Sequence, residues 1–203
     1  MHRDLLLEWL WPDLAADRAL AALHTTLHAL RRSLQAGLGP RAADLIATDG
    51  EQYRLALGPR DAWDAEHFLA LTRLLSEPVA HPLERALAAE AAYTGAFLPE
   101  WRYEDWTAPY RERIERARRQ VLETVAEELV GAGRTGAAIG RYEQLAQLDP
   151  ERERWHRRLM VLYAQAGERA LALRQYHACR TQLRETLGIE PSAETRRLYE
   201  SLL

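Results

Sequence analysis

Residues 132–142 read AGRTGAAIGRY and residues 166–176 read AGERALALRQY. Laid over one another at an offset of 34, Ala132-Gly133 falls on Ala166-Gly167, Ala138 on Ala172 and Tyr142 on Tyr176. Small residues at the turn let two helices approach closely, and the tyrosine on the second helix is placed to pack into the next pair. A period of 34 with this pattern of small and aromatic positions is the signature of tetratricopeptide stacking, in which each helix pair buries its apolar face against its neighbours. The alternative is a generic helical bundle with coincidental spacing.

Working outward from this repeat, helical periodicity extends over roughly 64–76, 82–94, 107–131, 134–148, 151–166, 168–187 and 192–202. Breakers separate these segments: Pro78, Pro82, Pro99, Gly131 to Gly133, Asp149-Pro150, Gly167, Gly188 and Pro191. Connections this short make consecutive helices antiparallel neighbours. Helices within 64–131 are expected to cap the stack at one end and 192–202 to seal the other. Toward the N-terminus the pattern changes. Leu5, Leu6, Trp9 and Leu10 form an apolar face on a short helix within 1–14, which Trp11-Pro12-Asp13 stops. Asp17 is a candidate N-cap for a second helix carrying the stripe Ala19, Leu20, Leu23, Leu27, Leu30 and Leu34. Gly37, Gly39 and Pro40 end it. Two strand-like runs, 45–48 and 53–57, flank a turn containing Asp49-Gly50, which predicts a β-hairpin. Gly58-Pro59-Arg60-Asp61 is the expected domain boundary.

Composition narrows the function. The chain has 203 residues and a net charge of −3, so bulk charge does not make it a polyanion binder and any nucleic-acid contact must come from a local patch. All 27 basic residues are arginine, which makes every side-chain cation a planar fork suited to phosphate or carboxylate. The one cysteine, Cys179, allows neither an internal disulfide nor a cysteine-based zinc cluster, and its helical setting reads as a buried small thiol. No apolar run reaches the length of a membrane span and no signal peptide is evident, so a cytoplasmic protein is expected. A phosphate-cradling glycine loop, a GxSxG elbow and a Cys/His pair are all missing, so no enzymatic activity and no cofactor are expected.

Several motifs resemble one family. Phe97-Leu98-Pro99 followed by Trp101-Arg102-Tyr103-Glu104-Asp105-Trp106 is similar to the "FLP…DW" segment of the bacterial transcriptional activator domain. The same holds for His156-Arg157-Arg158-Leu159-Met160 with Ala166-Gly167, and for the run from Leu183-Arg184-Glu185 to Leu187-Gly188-Ile189-Glu190-Pro191-Ser192. This is the helical module of SARP-type (AfsR/DnrI-like) regulators, which join it to an OmpR-like winged helix. Leu5 to Asp13 resembles the positioning helix of that winged helix, Arg18 to Leu34 its recognition helix and Leu45 to Leu57 its wing, with Gln52 where the family usually has glycine. The family's N-terminal strands and first helix have no counterpart here. A mis-assigned start, a truncation or cover by another chain would each account for that. The resemblance implies a mostly α protein: a partial winged helix-turn-helix DNA-binding domain over 1–60 (two helices plus a hairpin), then a tetratricopeptide-like antiparallel repeat domain over 61–203.

On the segment resembling a recognition helix, the apolar stripe leaves Arg18, His24, Thr25, His28, Arg31 and Arg32 on other faces, and no acidic residue lies between Arg18 and Leu34. A helix entering the major groove needs cationic or polar side chains and no carboxylate to repel phosphate. Arg54 in the hairpin is placed to reach the minor groove or backbone, as wings do in the family. The bland reading of all seven is a solvated surface. His24 and His28 stand i, i+4, but no carboxylate or thiol completes a metal set. The arginine-rich runs Tyr110–Arg119 and Glu151–Arg158 are expected to form local i, i+3 and i, i+4 ion pairs with their own glutamates. Of Trp101 and Trp106, at least one is expected in the core. The function expected is a transcriptional regulator, a homodimer that binds promoter DNA and, through the repeat domain, RNA polymerase or another regulatory protein. The alternative is a non-DNA-binding interaction module in which Leu5, Leu6, Trp9 and Leu10 pack against another chain.

Overall fold

The computed structural model describes residues 1–56, 63–78 and 80–203, without the side chains of Arg41 and Ala43. They form two compact units, Met1–Ala62 and Trp63–Leu203. The breaker Gly58-Pro59-Arg60-Asp61 lies outside the described residues.

The first unit holds α1 (Arg3–Leu10), α2 (Ala16–Leu38), a 3-10 turn (Pro40–Leu45) and the antiparallel strands β1 (Ile46–Asp49) and β2 (Gln52–Leu55). The strands are joined through Gly50 and Glu51, and Gly50 takes φ 57°. Glycine at the first central position is what a type II′ hairpin turn requires. Gln52, where the family pattern has glycine, pairs with Asp49 inside the ladder and needs no left-handed backbone. The segment before α1 lies beside β2: Tyr53 donates its N–H to the Met1 carbonyl at 2.8 Å and Arg3 donates to the Glu51 carbonyl at 2.7 Å. Asp17 is not the N-cap. The helix begins at Ala16 with Ala15 as cap, and Asp17 sits in the first turn, where its charge still favours the helix dipole. The α1 helix has no buried residue, and Leu5, Trp9 and Leu10 of its apolar face are exposed.

The second unit is a run of antiparallel helices: α3 (Asp64–Leu74), α4 (Pro82–Ala91), α5 (Ala108–Gly131), α6 (Thr135–Leu148), α7 (Glu153–Gln165), α8 (Arg169–Leu187) and α9 (Ala193–Ser201). Each packs on the next, and α9 closes over both α7 and α8. The 34-residue repeat is a physical one. Gly133 (φ 71°) and Gly167 (φ 80°) occupy equivalent left-handed positions. Gly133 N–H donates to Val130 O and Arg134 N–H to Leu129 O, and the same pair of bonds recurs from Gly167 to Ala164 and from Glu168 to Tyr163. This is the Schellman ending, built twice. Ala138 and Ala172 are wholly buried where the helices meet. Tyr142 packs on Trp155 of α7 and Tyr176 stacks on Tyr199 of α9 at 4.0 Å, so each repeat tyrosine reaches the following element. One apolar seam runs from Phe68 and Leu69 through Val125, Leu145 and Leu159 to Tyr176.

Ion pairs depart from the local pattern expected of the arginine-rich runs. Arg157 does lie 4.0 Å from Glu153 of its own run, but five pairs join alternate helices: Glu66 of α3 with Arg113 of α5 (3.4 Å), Glu90 of α4 with Arg141 of α6 (3.0 Å), Glu123 and Glu127 of α5 with Arg154 and Arg158 of α7, and Arg157 of α7 with Glu194 of α9 (3.0 Å). In stacked pairs, alternate helices share a face, so partners meet across the stack rather than along one helix. Trp101 and Trp106 are both exposed, correcting the expectation that one is core. Cys179 is fully buried, and burial pushes its thiol up to about 12.

Candidate nucleic-acid interface

The α2 helix spans 23 residues and turns Ala19 and Leu23 into the first unit's core, with Leu20, Leu27 and Leu34 half-buried along the same stripe. Leu30, the fifth of the stripe's six residues, is exposed. The opposite side carries Arg18, Thr25, His28 and Arg32, all exposed. Spacings of seven, three and four place these four on one face. From Arg18 to Arg32 the helix rises about 21 Å, enough to follow a groove over several base pairs. Thr25 directs its hydroxyl to the Ala21 carbonyl at 2.9 Å, which leaves the oxygen's lone pairs free to accept. His24 is exposed beside this face.

Arg31 stands apart from that set. Its Nη2 donates to the Ile46 carbonyl at 2.9 Å and to Thr48 Oγ1 at 3.1 Å, so its guanidinium fastens α2 to β1. Periodicity placed Arg31 off the apolar stripe, and that is where it lies. What periodicity cannot register is that the hairpin folds back against this side of the helix. Arg54 is exposed on β2 opposite Ala47, away from the bonds that Arg31 makes to β1. The structure therefore brings Arg18, Thr25, His28 and Arg32 together on one face, with His24 alongside, holds Arg54 on the hairpin and uses Arg31 as a tie between the two elements. Among the described residues no group of three or more His, Cys, Asp or Glu converges as a metal set, and no helix is long and apolar enough to cross a membrane.

Comparison with known proteins adds to this geometry. Residues 61–203 match the family described as "Bacterial transcriptional activator domain". The chain is 28% identical over 219 aligned residues to the transcriptional regulatory protein MoaR1 of Mycobacterium tuberculosis, covering 98% of this chain and 66% of that protein. It is 30% identical to the transcriptional regulator RedD of Streptomyces coelicolor, over 98% of this chain and 58% of RedD. Among solved structures, Mycobacterium tuberculosis EmbR in complex with a low-affinity phosphopeptide superposes with a TM-score of 0.76 at 27% identity, covering 100% of this chain and 54% of that one. The chain thus spans between half and two thirds of these relatives.

Proposed function

Since the chain belongs to the bacterial transcriptional activator domain family, the helical module of SARP-type regulators, we propose that it regulates transcription by gripping promoter DNA through its first unit and a partner protein through its second. The observation that carries the DNA reading is the acid-free face of α2. Arg18 and Arg32 supply forks for guanine edges or phosphates, Thr25 and His28 add polar groups between them, and His24 borders the face. Arg54 on the hairpin reaches the adjoining backbone or minor groove. Arg31 acts at one remove, holding the wing at a fixed angle to the helix. The partner is RNA polymerase or another regulatory protein. EmbR, of which this chain covers 54%, is found in complex with a phosphopeptide, which supports a protein partner for a regulator of this kind. Such a regulator works in the cytoplasm, catalyses nothing and needs no cofactor.

Gel-shift titration of the whole chain against the promoter upstream of its own operon tests this. Binding is expected to weaken steeply with salt, and Arg18→Ala with Arg32→Ala to flatten the log–log salt slope by roughly 0.9 for each phosphate that is no longer neutralised. Arg31→Ala is expected to lower affinity with less change in that slope. Salt-insensitive binding, or none, sinks the DNA reading.

The exposed Leu5, Trp9 and Leu10 favour a second reading, in which this apolar face pairs with another chain and the first unit serves assembly rather than DNA. Sedimentation separates the two: a clean monomer at micromolar concentration rules out the homodimer form of pairing.

A further inference from the structure

The connection between α4 and α5 exposes Leu98, Trp101, Tyr103 and Trp106, and Tyr110 is exposed in the first turn of α5. Exposed aromatics on a loose loop would mean little, but this backbone is pinned. Trp101 N–H donates to Leu98 O at 2.9 Å, Glu104 N–H to Trp101 O at 3.1 Å and Thr107 N–H to Glu104 O at 3.0 Å. The fully buried Thr107 places its hydroxyl 2.8 Å from Glu104 O and 3.1 Å from Trp101 O. The Arg111 guanidinium caps the Arg102 carbonyl. Beneath lies an aromatic footing: Phe97 stacks on Tyr110 with centroids 5.6 Å apart, and Trp63 leans on both. Leu98 is held at φ 42°, a left-handed conformation that a leucine adopts only when its surroundings impose it. Solvent-facing tryptophans on a backbone already held in place have less freedom to lose on binding, which is why such residues anchor interfaces.

Charge says what fits. Glu100, Glu104 and Asp105 are exposed in the same stretch. The nearby arginines are engaged elsewhere: Arg102 lies over the Tyr103 ring at 5.0 Å and Arg111 serves the backbone. Among the described residues no ion pair takes up these three carboxylates. Aromatic faces beside free carboxylates suit a planar cation, which stacks on the ring while its fork pairs with the acid. The chain uses the stacking half of this chemistry internally, with Arg118 over Tyr93 at 4.6 Å and Arg154 over Trp155 at 4.0 Å.

We propose that residues 98–106 form a docking platform for an arginine-rich segment of the partner protein, with guanidinium groups stacked on Trp101 and Trp106 and paired with Glu100, Glu104 and Asp105. This rests on the helical unit being the partner-binding half and gives that partner a chemistry. Fluorescence anisotropy tests it with the whole chain and a labelled synthetic peptide alternating arginine and glycine, against the same peptide built with lysine. The arginine peptide is expected to bind about threefold or more tighter than the lysine one, because stacking needs the planar group. Trp101→Ala and Trp106→Ala are each expected to weaken it by about tenfold. Glu104→Gln with Asp105→Asn, surface changes that leave the packing intact, are expected to weaken it and flatten its salt dependence. Gel shifts of the same variants should be unchanged, which separates failure of this platform from failure of the DNA reading. No binding overturns the proposal, as does binding indifferent to all four substitutions, which would be generic attraction to an acidic chain. Self-association abolished by Trp106→Ala also overturns it, because the occupant is then a second copy.

Discussion

His156 shows how one side chain can tie stability to pH. It is buried on α7, where Nε2 donates to the Pro150 carbonyl at 3.0 Å and Nδ1 accepts from the Gln175 amide at 2.7 Å. This is the bonding of a neutral ring with its proton on Nε2. Burial lowers its pKa, and the hydrogen bonds and the Glu153 charge only partly oppose that. The unfolded chain then binds a proton that the folded one refuses. The contribution of His156 is complete above the unfolded pKa, about 6.5, and is lost as pH falls below it. Thermal melts between pH 7 and pH 5 are expected to show stability falling at up to about 1.4 kcal/mol per pH unit. His156→Gln should remove most of that slope. A slope identical in the variant would mean that other groups carry it. Glu153 titrates separately and lower. Burial raises its pKa, but hydrogen bonds from Thr195 and Ser192, with Arg157 nearby, outweigh that and hold it below the usual carboxylate range.

At the scale of elements, the twin turns at Gly133 and Gly167 do the same work. A Cβ at either position meets nothing within 4 Å, so a substitution there is opposed by backbone conformation alone. Gly133→Ala and Gly167→Ala are each expected to cost about 1–2 kcal/mol, read as a lower midpoint in chemical denaturation with an unchanged slope. Similar costs would support the repeat as one device used twice. These turns are also why the helices could be read from the sequence: the segments expected at 134–148 and 168–187 are found at Thr135–Leu148 and Arg169–Leu187. Glycine and proline act locally, and local signals survive in one dimension. What escaped reading depends on neighbours distant in sequence. Arg158 meets Glu127 because α7 lies alongside α5 in the stack, and Arg31 meets Ile46 because the hairpin folds back on α2. Trp101 and Trp106 lie in three-residue 3-10 turns, too short for a period to mark an inward side. The polar face of α2 was legible apart from Arg31, because the apolar stripe defines its opposite.

At the scale of the whole molecule, the main apolar cluster belongs entirely to the second unit. A fragment of residues 63–203 is therefore expected to unfold in a single cooperative transition near that of the intact chain, by circular dichroism. Residues 1–62, whose buried apolar side chains include only Ala19, Leu23 and Ala42 among those described, should show no comparable transition alone. A fragment 63–203 that melts without cooperativity would mean the first unit contributes to the same folding event. The lone thiol offers a way to watch that event without labelling. Cys179 faces α8's packed side with no exposed surface, and its high pKa leaves almost no thiolate even if reagent approached. An alkylating agent in solution reacts only with molecules in which the helices around α8 have parted. The rate of alkylation is thus a clock for that parting, present in the natural chain and undisturbed by any added probe.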